Sequence, residues 1–121
     1  MFLYNMGLAY TETGFLDEAI DTFKKVIDAG KNEKTFAAYI MLGVTQREKG
    51  LFSESLKNLR EASGLPDLSP EMKFCVFFEI AQTFKAMNDL DRAFFILKEL
   101  QKDDKNFLAI EKITGISFKG K

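Results

Sequence analysis

Small residues and helix-ending residues recur along this 121-residue chain at nearly constant spacing, which restricts its fold more than any other feature. Gly7 and Gly43, Gly14 and Gly50, and Ala19 and Ser55 are each 36 residues apart. Gly43 and Ala81, and Ser55 and Ala93, are each 38 apart. The two extra residues fall where Gly64-Leu65-Pro66-Asp67-Leu68-Ser69-Pro70 lengthens a connection. A period of this length marks an array of supersecondary units, each of which buries its apolar face only by stacking on a neighbour.

Each period reads as a pair of helices. Phe52, Leu56, Leu59 and Ala62 fall at i, i+4, i+7 and i+10, and Met6, Ala9 and Tyr10 form a similar stripe. Gly7, Gly43 and Ala81 lack bulk, so the paired helices can approach closely, and Ala19 and Ala93 supply the facing small surface. Gly14 and Gly50 permit a left-handed turn between the paired helices. Asn88, the usual substitute for glycine in that conformation, takes the third such place. Ser69-Pro70-Glu71 reads as an N-cap with proline at the first helical position. Asp17 and Glu18 suit the positive end of a helix dipole, and Gly64 stops the fourth helix. The pattern predicts helices over 2–12, 16–29, 34–48, 52–63, 70–87, 90–102 and 104–114. The last carries Phe107, Ile110 and Ile113 as its apolar stripe and ends at Gly115, with Ile116 and Phe118 in a tail beyond it.

The run Leu3-Tyr4-Asn5-Met6-Gly7-Leu8-Ala9-Tyr10, followed by Gly14, Ala19 and Phe23, resembles the tetratricopeptide repeat. That family's pattern is W-x2-L-G-x2-Y, a turn glycine, then A-x3-F. The resemblance extends over three repeats, at about 1–33, 34–69 and 70–103. Leu3 replaces the usual Trp, Gln46 the usual Tyr, and Ser55 the usual Ala, and no repeat closes on Pro. Gln46 and Ser55 lead us to expect looser packing in the middle repeat. The resemblance implies an all-α fold: an α-solenoid of three helix-turn-helix hairpins in a right-handed superhelix. The expected domain is single, over 1–121, with 104–114 as a seventh, capping helix and 115–121 as a tail. Residue 1 already falls inside the first helix of a repeat, and the last helix stands where a fourth repeat would start. We therefore expect the chain to be part of a larger protein.

Composition narrows the chemistry. The chain has no histidine and one cysteine, Cys75, so neither an internal disulfide nor a Cys/His zinc site fits within it. The usual Ser-His and Cys-His nucleophile–base pairs are excluded too. Net charge is −1, too weak an imbalance to imply nucleic-acid or anionic-membrane binding. No apolar run approaches the ~20 residues that span a bilayer, and no secretory signal is visible. A cytoplasmic setting is the expectation. Glu12, Glu48 and Glu79 are carboxylates without a spacing that pairs them with a metal or an electrophile, so no enzyme, cofactor or metal site is expected. Cys75 lies among apolar neighbours and reads as an inert thiol. The aromatics crowding the third repeat, Phe74, Phe77, Phe78, Phe84, Phe94 and Phe95, read as core and inter-repeat packing.

In the family the first helix of each hairpin lines a concave groove that receives ligands. Carried over by position, that groove is lined by Tyr4, Leu8, Thr11 and Glu12, then Ala37, Ile40, Met41, Val44 and Arg47, then Cys75, Phe78, Glu79, Gln82 and Lys85. The strongest binding candidates are Tyr4, Leu8, Ile40, Met41, Val44, Arg47, Phe78, Gln82 and Lys85. Family members that grip a chaperone's C-terminal carboxylate use Lys, Asn and Arg at positions occupied here by Tyr4, Leu8, Met41, Cys75 and Glu79. No heat-shock chaperone tail is therefore expected as a partner. The apolar lining suits an apolar helix or extended segment of a partner protein laid in the groove. The alternative is a self-association module, with repeats stacked or swapped between copies.

Overall fold

The computed structural model describes residues 2–102. The described residues form six helices: α1 (Phe2–Glu12), α2 (Leu16–Asp28), α3 (Thr35–Glu48), α4 (Phe52–Ser63), α5 (Pro70–Ala86) and α6 (Leu90–Leu100). Each lies within two residues of its predicted bounds. No strand occurs among the described residues. The predicted helix at 104–114 and the tail lie outside the described residues. The chain divides into two compact units, Met1–Pro66 and Asp67–Lys121.

In the first unit, sequence neighbours are spatial neighbours: α1 packs on α2, α2 on α3, and α3 on α4. Helix α1 also touches α3, so the two hairpins stack as in a solenoid. The stacking has an apolar centre. Ala19, Ile20 and Phe23 of α2 meet Leu42 of α3, with Tyr4, Leu8, Tyr10, Ile27, Met41 and Leu51 packed around them. Helix α2 has its apolar residues on one side, as a helix covered on one face should.

The glycine positions set the spacing inside each hairpin. A Cβ at Gly7 would lie 2.6 Å from Cε1 of Phe23, whose side chain is completely buried. A Cβ at Gly43 would lie 2.7 Å from Cγ of Leu59, also completely buried. Glycine inside a helix costs about 0.5–1 kcal/mol relative to alanine. Here it lets an aromatic or a leucine press directly on the facing backbone. In the second unit the corresponding positions are Ala81 on α5, which is buried, and Leu97 on α6, which is half-buried.

The three hairpin turns are built alike. Gly14, Gly50 and Asn88 have φ of 84°, 86° and 64°. In each, the following residue closes the helix by donating its N–H to a carbonyl five residues back. The bonds are Phe15 to Tyr10 at 2.9 Å, Leu51 to Gln46 at 2.8 Å, and Asp89 to Phe84 at 2.8 Å. This is the Schellman arrangement, which satisfies carbonyls left open at a helix end. The predicted N-cap is also present: Ser69 Oγ accepts from the Met72 N–H at 3.1 Å, with Pro70 opening α5.

The middle repeat is not loosely packed. Gln46 is 1% exposed, and its Oε1 accepts a hydrogen bond from Asn58 Nδ2 at 2.9 Å. Ser55 is completely buried, and its Oγ donates to the Gly43 carbonyl at 2.6 Å. Both substitutions place a polar atom between α3 and α4, and both atoms find partners there, so their burial is compensated. Thr45 and Thr83, 38 residues apart, are likewise fully buried, and each bonds the carbonyl four residues back, on Met41 and Glu79.

Replacing Gly7 with alanine should destabilise the chain by about 1–3 kcal/mol, as overpacking against a fixed aromatic does. Adding Phe23→Leu should restore part of that loss, because the smaller side chain vacates the space. Urea unfolding of the single and double variants measures both effects; additive losses would contradict the contact.

Candidate protein-binding surface

The predicted binding residues of the first unit fall on two helices. Tyr4 and Leu8 stand one turn apart on α1; Ile40, Val44 and Arg47 form a stripe on α3, with Met41 beside it. Thr11 Oγ1 and Thr45 Oγ1 lie 3.5 Å apart and connect the two helices. Tyr4, Leu8 and Met41 are half-buried over the cluster of Ala19, Ile20, Phe23 and Leu42. One side of each is committed to the core and the other is accessible. Val44 and Arg47 are half-buried as well. Ile40 is 7% exposed, so it belongs mainly to the core beneath.

Tyr4 is held from two directions. Its ring lies 5.8 Å from that of Phe23, tilted by 56°. The Lys34 ammonium sits 5.0 Å from the ring centroid on a cation–π contact, which the residue pattern had not suggested. Partial burial pushes the Tyr4 phenol up, so it stays neutral well into the alkaline range. The surface is thus aromatic and aliphatic in the middle, with Arg47 further along α3.

In the second unit, Phe78, Gln82 and Lys85 form one stripe on α5 at i, i+4 and i+7. They differ in exposure. Phe78 is 5% exposed, stacks on Phe74 at 6.4 Å, and packs with Leu100; it is a core residue. Gln82 is half-buried and Lys85 exposed. Burial, and next the Glu79 carboxylate one turn on, push the Cys75 thiol up. At neutral pH it stays protonated and is a poor nucleophile.

The aromatics of this unit separate into two sets. Phe74, Phe78 and Phe84 are buried, as expected of core residues. Phe77, Phe94 and Phe95 are exposed, Phe94 and Phe95 by 65% and 66%. Residue type alone could not separate them, since all lie on apolar-rich helices. Phe77 and Phe95 line a shallow cavity of about 290 Å³ with Ile96, Glu99 and Leu100.

Among the described residues, no three His, Cys, Asp or Glu side chains gather where they could hold a metal ion. No described helix is long and apolar enough to cross a membrane.

The family model for the tetratricopeptide repeat matches residues 2–30. Those residues are α1, α2 and the turn at Gly14, the hairpin in which Gly7 meets Phe23. The chain resembles the tetratricopeptide repeat family. Repeats of this kind point to a protein–protein interaction scaffold, in a family that is generally not enzymatic. Comparisons with curated proteins and with solved structures returned no match.

Alkylation of Cys75 should be slow and should rise only at a higher pH than for free cysteine. Glu79→Gln should move that profile toward lower pH, because it removes one of the two causes that raise the thiol; burial should keep it from returning fully. Iodoacetamide rates followed by mass spectrometry against pH measure this. An unmoved profile would show that the carboxylate does not act on the thiol.

Proposed function

We propose that the α1/α3 face of the first unit binds an apolar or amphipathic helix, or an extended segment, of a partner protein. One observation carries this: Tyr4, Leu8, Met41 and Val44 are each half-buried on adjacent helices that sit on a close-packed core. Side chains held from below by packing lose little further freedom when a ligand covers them. An apolar partner face would remove the remaining apolar surface from water, at roughly 25 cal/mol per Å² before the costs of association. Met41 adapts to an imprecise fit, and Arg47 can meet an acidic or carbonyl group at the partner's edge. Ile40 acts in this reading as support from beneath.

On α5, Gln82 and Lys85, beside the edge of Phe78, form the corresponding stripe of the second unit and are read the same way. The protein is then a scaffold that needs no cofactor, metal, nucleic acid or membrane. A cytoplasmic location belongs to the same reading, supported by the lone, protonated cysteine. The alternative, self-association, is favoured by the exposed Phe94 and Phe95.

Leu8→Asp and Val44→Asp should each weaken partner capture by roughly tenfold or more, since ~1.4 kcal/mol is tenfold and burying an unpaired carboxylate costs more. Helical circular dichroism should be unchanged. Pull-down from the native lysate with each variant against the wild type tests this; undiminished capture by both would move the site elsewhere. An acidic C-terminal peptide should not bind, because Tyr4, Leu8, Met41, Cys75 and Glu79 offer it no cation. Salt-sensitive micromolar binding in calorimetry would contradict that.

A further inference from the structure

One end of the α1/α3 surface carries a cation outside the residues assigned to binding. Lys34 is the last residue before α3. The loop fixes its backbone: its N–H donates to Asn32 Oδ1 at 2.7 Å, and the Asn32 N–H donates to Thr35 Oγ1 at 2.9 Å. Its side chain is half-buried, with the ammonium over the Tyr4 ring. Lys31 and Glu33 of the same loop are exposed. Among the described residues no carboxylate pairs with Lys34, whereas Lys49, Arg92 and Lys102 each have one. The ring face attracts an ammonium but does not replace the oxygen acceptors its three N–H groups favour.

The same lysine borders a pocket. Phe2 and Leu3 of α1, Val26 of α2, and Ala29, Asn32 and Lys34 line a cavity of about 210 Å³. Val26 is buried and Phe2 exposed, so the cavity has a packed base and an apolar wall open to water. It is smaller than the roughly 300–1,000 Å³ of small-molecule sites, and its size suits one apolar side chain. Lys34 meets Tyr4 at this end, and Thr11 meets Thr45 further along. Helices α1 and α3 therefore run side by side in one direction, and the pocket lies where both begin.

We propose that this end orients the bound segment: an apolar side chain of the partner protein enters the pocket at Phe2 and Val26, and an Asp or Glu side chain next to it pairs with Lys34. This deepens the reading of the α1/α3 surface and rests on it. An ammonium partly withdrawn from water gains more from a carboxylate than from an amide. One ammonium matches one side-chain carboxylate. A chaperone tail needs several cations for its terminal carboxylate, and Lys34 does not supply them. A basic side chain at that place meets a like charge and is rejected.

The experiment is selection of random peptides displayed on phage against the full chain, followed by calorimetry with the selected peptides as synthetic molecules. They should carry Asp or Glu beside an apolar residue. Changing that acid to its amide should weaken binding to the wild type about three- to tenfold, between an exposed ion pair and a buried charged hydrogen bond. The same change should have no effect on Lys34→Met, which keeps the apolar stem without the charge. Lys34→Arg should restore the preference, and selection on Lys34→Glu should enrich Lys or Arg at that place. Phe2→Ala, at an exposed position, should weaken binding while keeping the preference for acid over amide. Circular dichroism checks the helices of each variant; should Lys34→Met fail to fold, Lys34→Glu takes its place. Peptides that need Leu8 and Val44 but do not distinguish acid from amide would overturn this proposal and leave the α1/α3 surface standing. So would undiminished binding to Phe2→Ala. Peptides indifferent to Leu8→Asp and Val44→Asp, or no selected peptide at all, would overturn the surface and this proposal with it.

Discussion

The contact on which the first unit depends is the approach of an unbranched backbone to a large apolar side chain: Gly7 against Phe23 and Gly43 against Leu59. In each case a Cβ would fall inside van der Waals distance of a side chain that has no exposed surface and nowhere to move. That closeness decides the separation of the paired helices. It also decides which residues face outward, because a helix pressed tightly on one partner has its remaining faces oriented for the next. Ala19, Ile20 and Phe23 of α2 show the effect: all three are buried in one cluster with Leu42 of α3. Two equivalent glycines tolerate their helical entropy cost because the packing they permit returns more than that cost.

Polar atoms take part in the same interior. Gln46 and Ser55 stand where the family pattern has Tyr and Ala, and each is hydrogen-bonded across α3 and α4. A buried polar group costs little once its partner is present and a great deal if the partner is lost. The middle hairpin therefore gains a directional constraint that an apolar pair would lack, because hydrogen bonds weaken steeply when their geometry is lost. Tyr4, Leu8 and Met41 pack on the buried cluster of Ala19, Ile20, Phe23 and Leu42, which is the physical basis for reading their outward halves as a binding surface.

Helix existence and helix ends were legible before any coordinates. Gly14, Gly50 and Asn88 do adopt positive φ, and Ser69 does cap α5. These are local properties, set by the absence of a Cβ, the tolerance of Asn for a left-handed conformation, and the reach of a serine hydroxyl. The exposure of particular residues was less legible. Ile40 and Phe78 were placed on the ligand-facing side by their position in the pattern, yet both are mostly covered. A helical stripe is about a third of a circumference wide, and residues at its margin rotate into or out of the core with small changes in helix orientation. Phe94 and Phe95 show the opposite case: apolar type suggested burial, but exposure depends on which element lies opposite.

The sequence by itself determined the period, the six described helices, the left-handed turns and the small-residue contacts. Each of these follows from the chemistry of one residue or of residues within a turn or two of each other. Only the tertiary structure decided that Gln46 and Ser55 bond across the hairpin, that Lys34 lies over Tyr4, and that Phe94 stands open where Ile20 is closed. Those outcomes depend on groups brought together from different helices. Their distances are set by how two packed surfaces interlock, and no property of either residue alone contains that information.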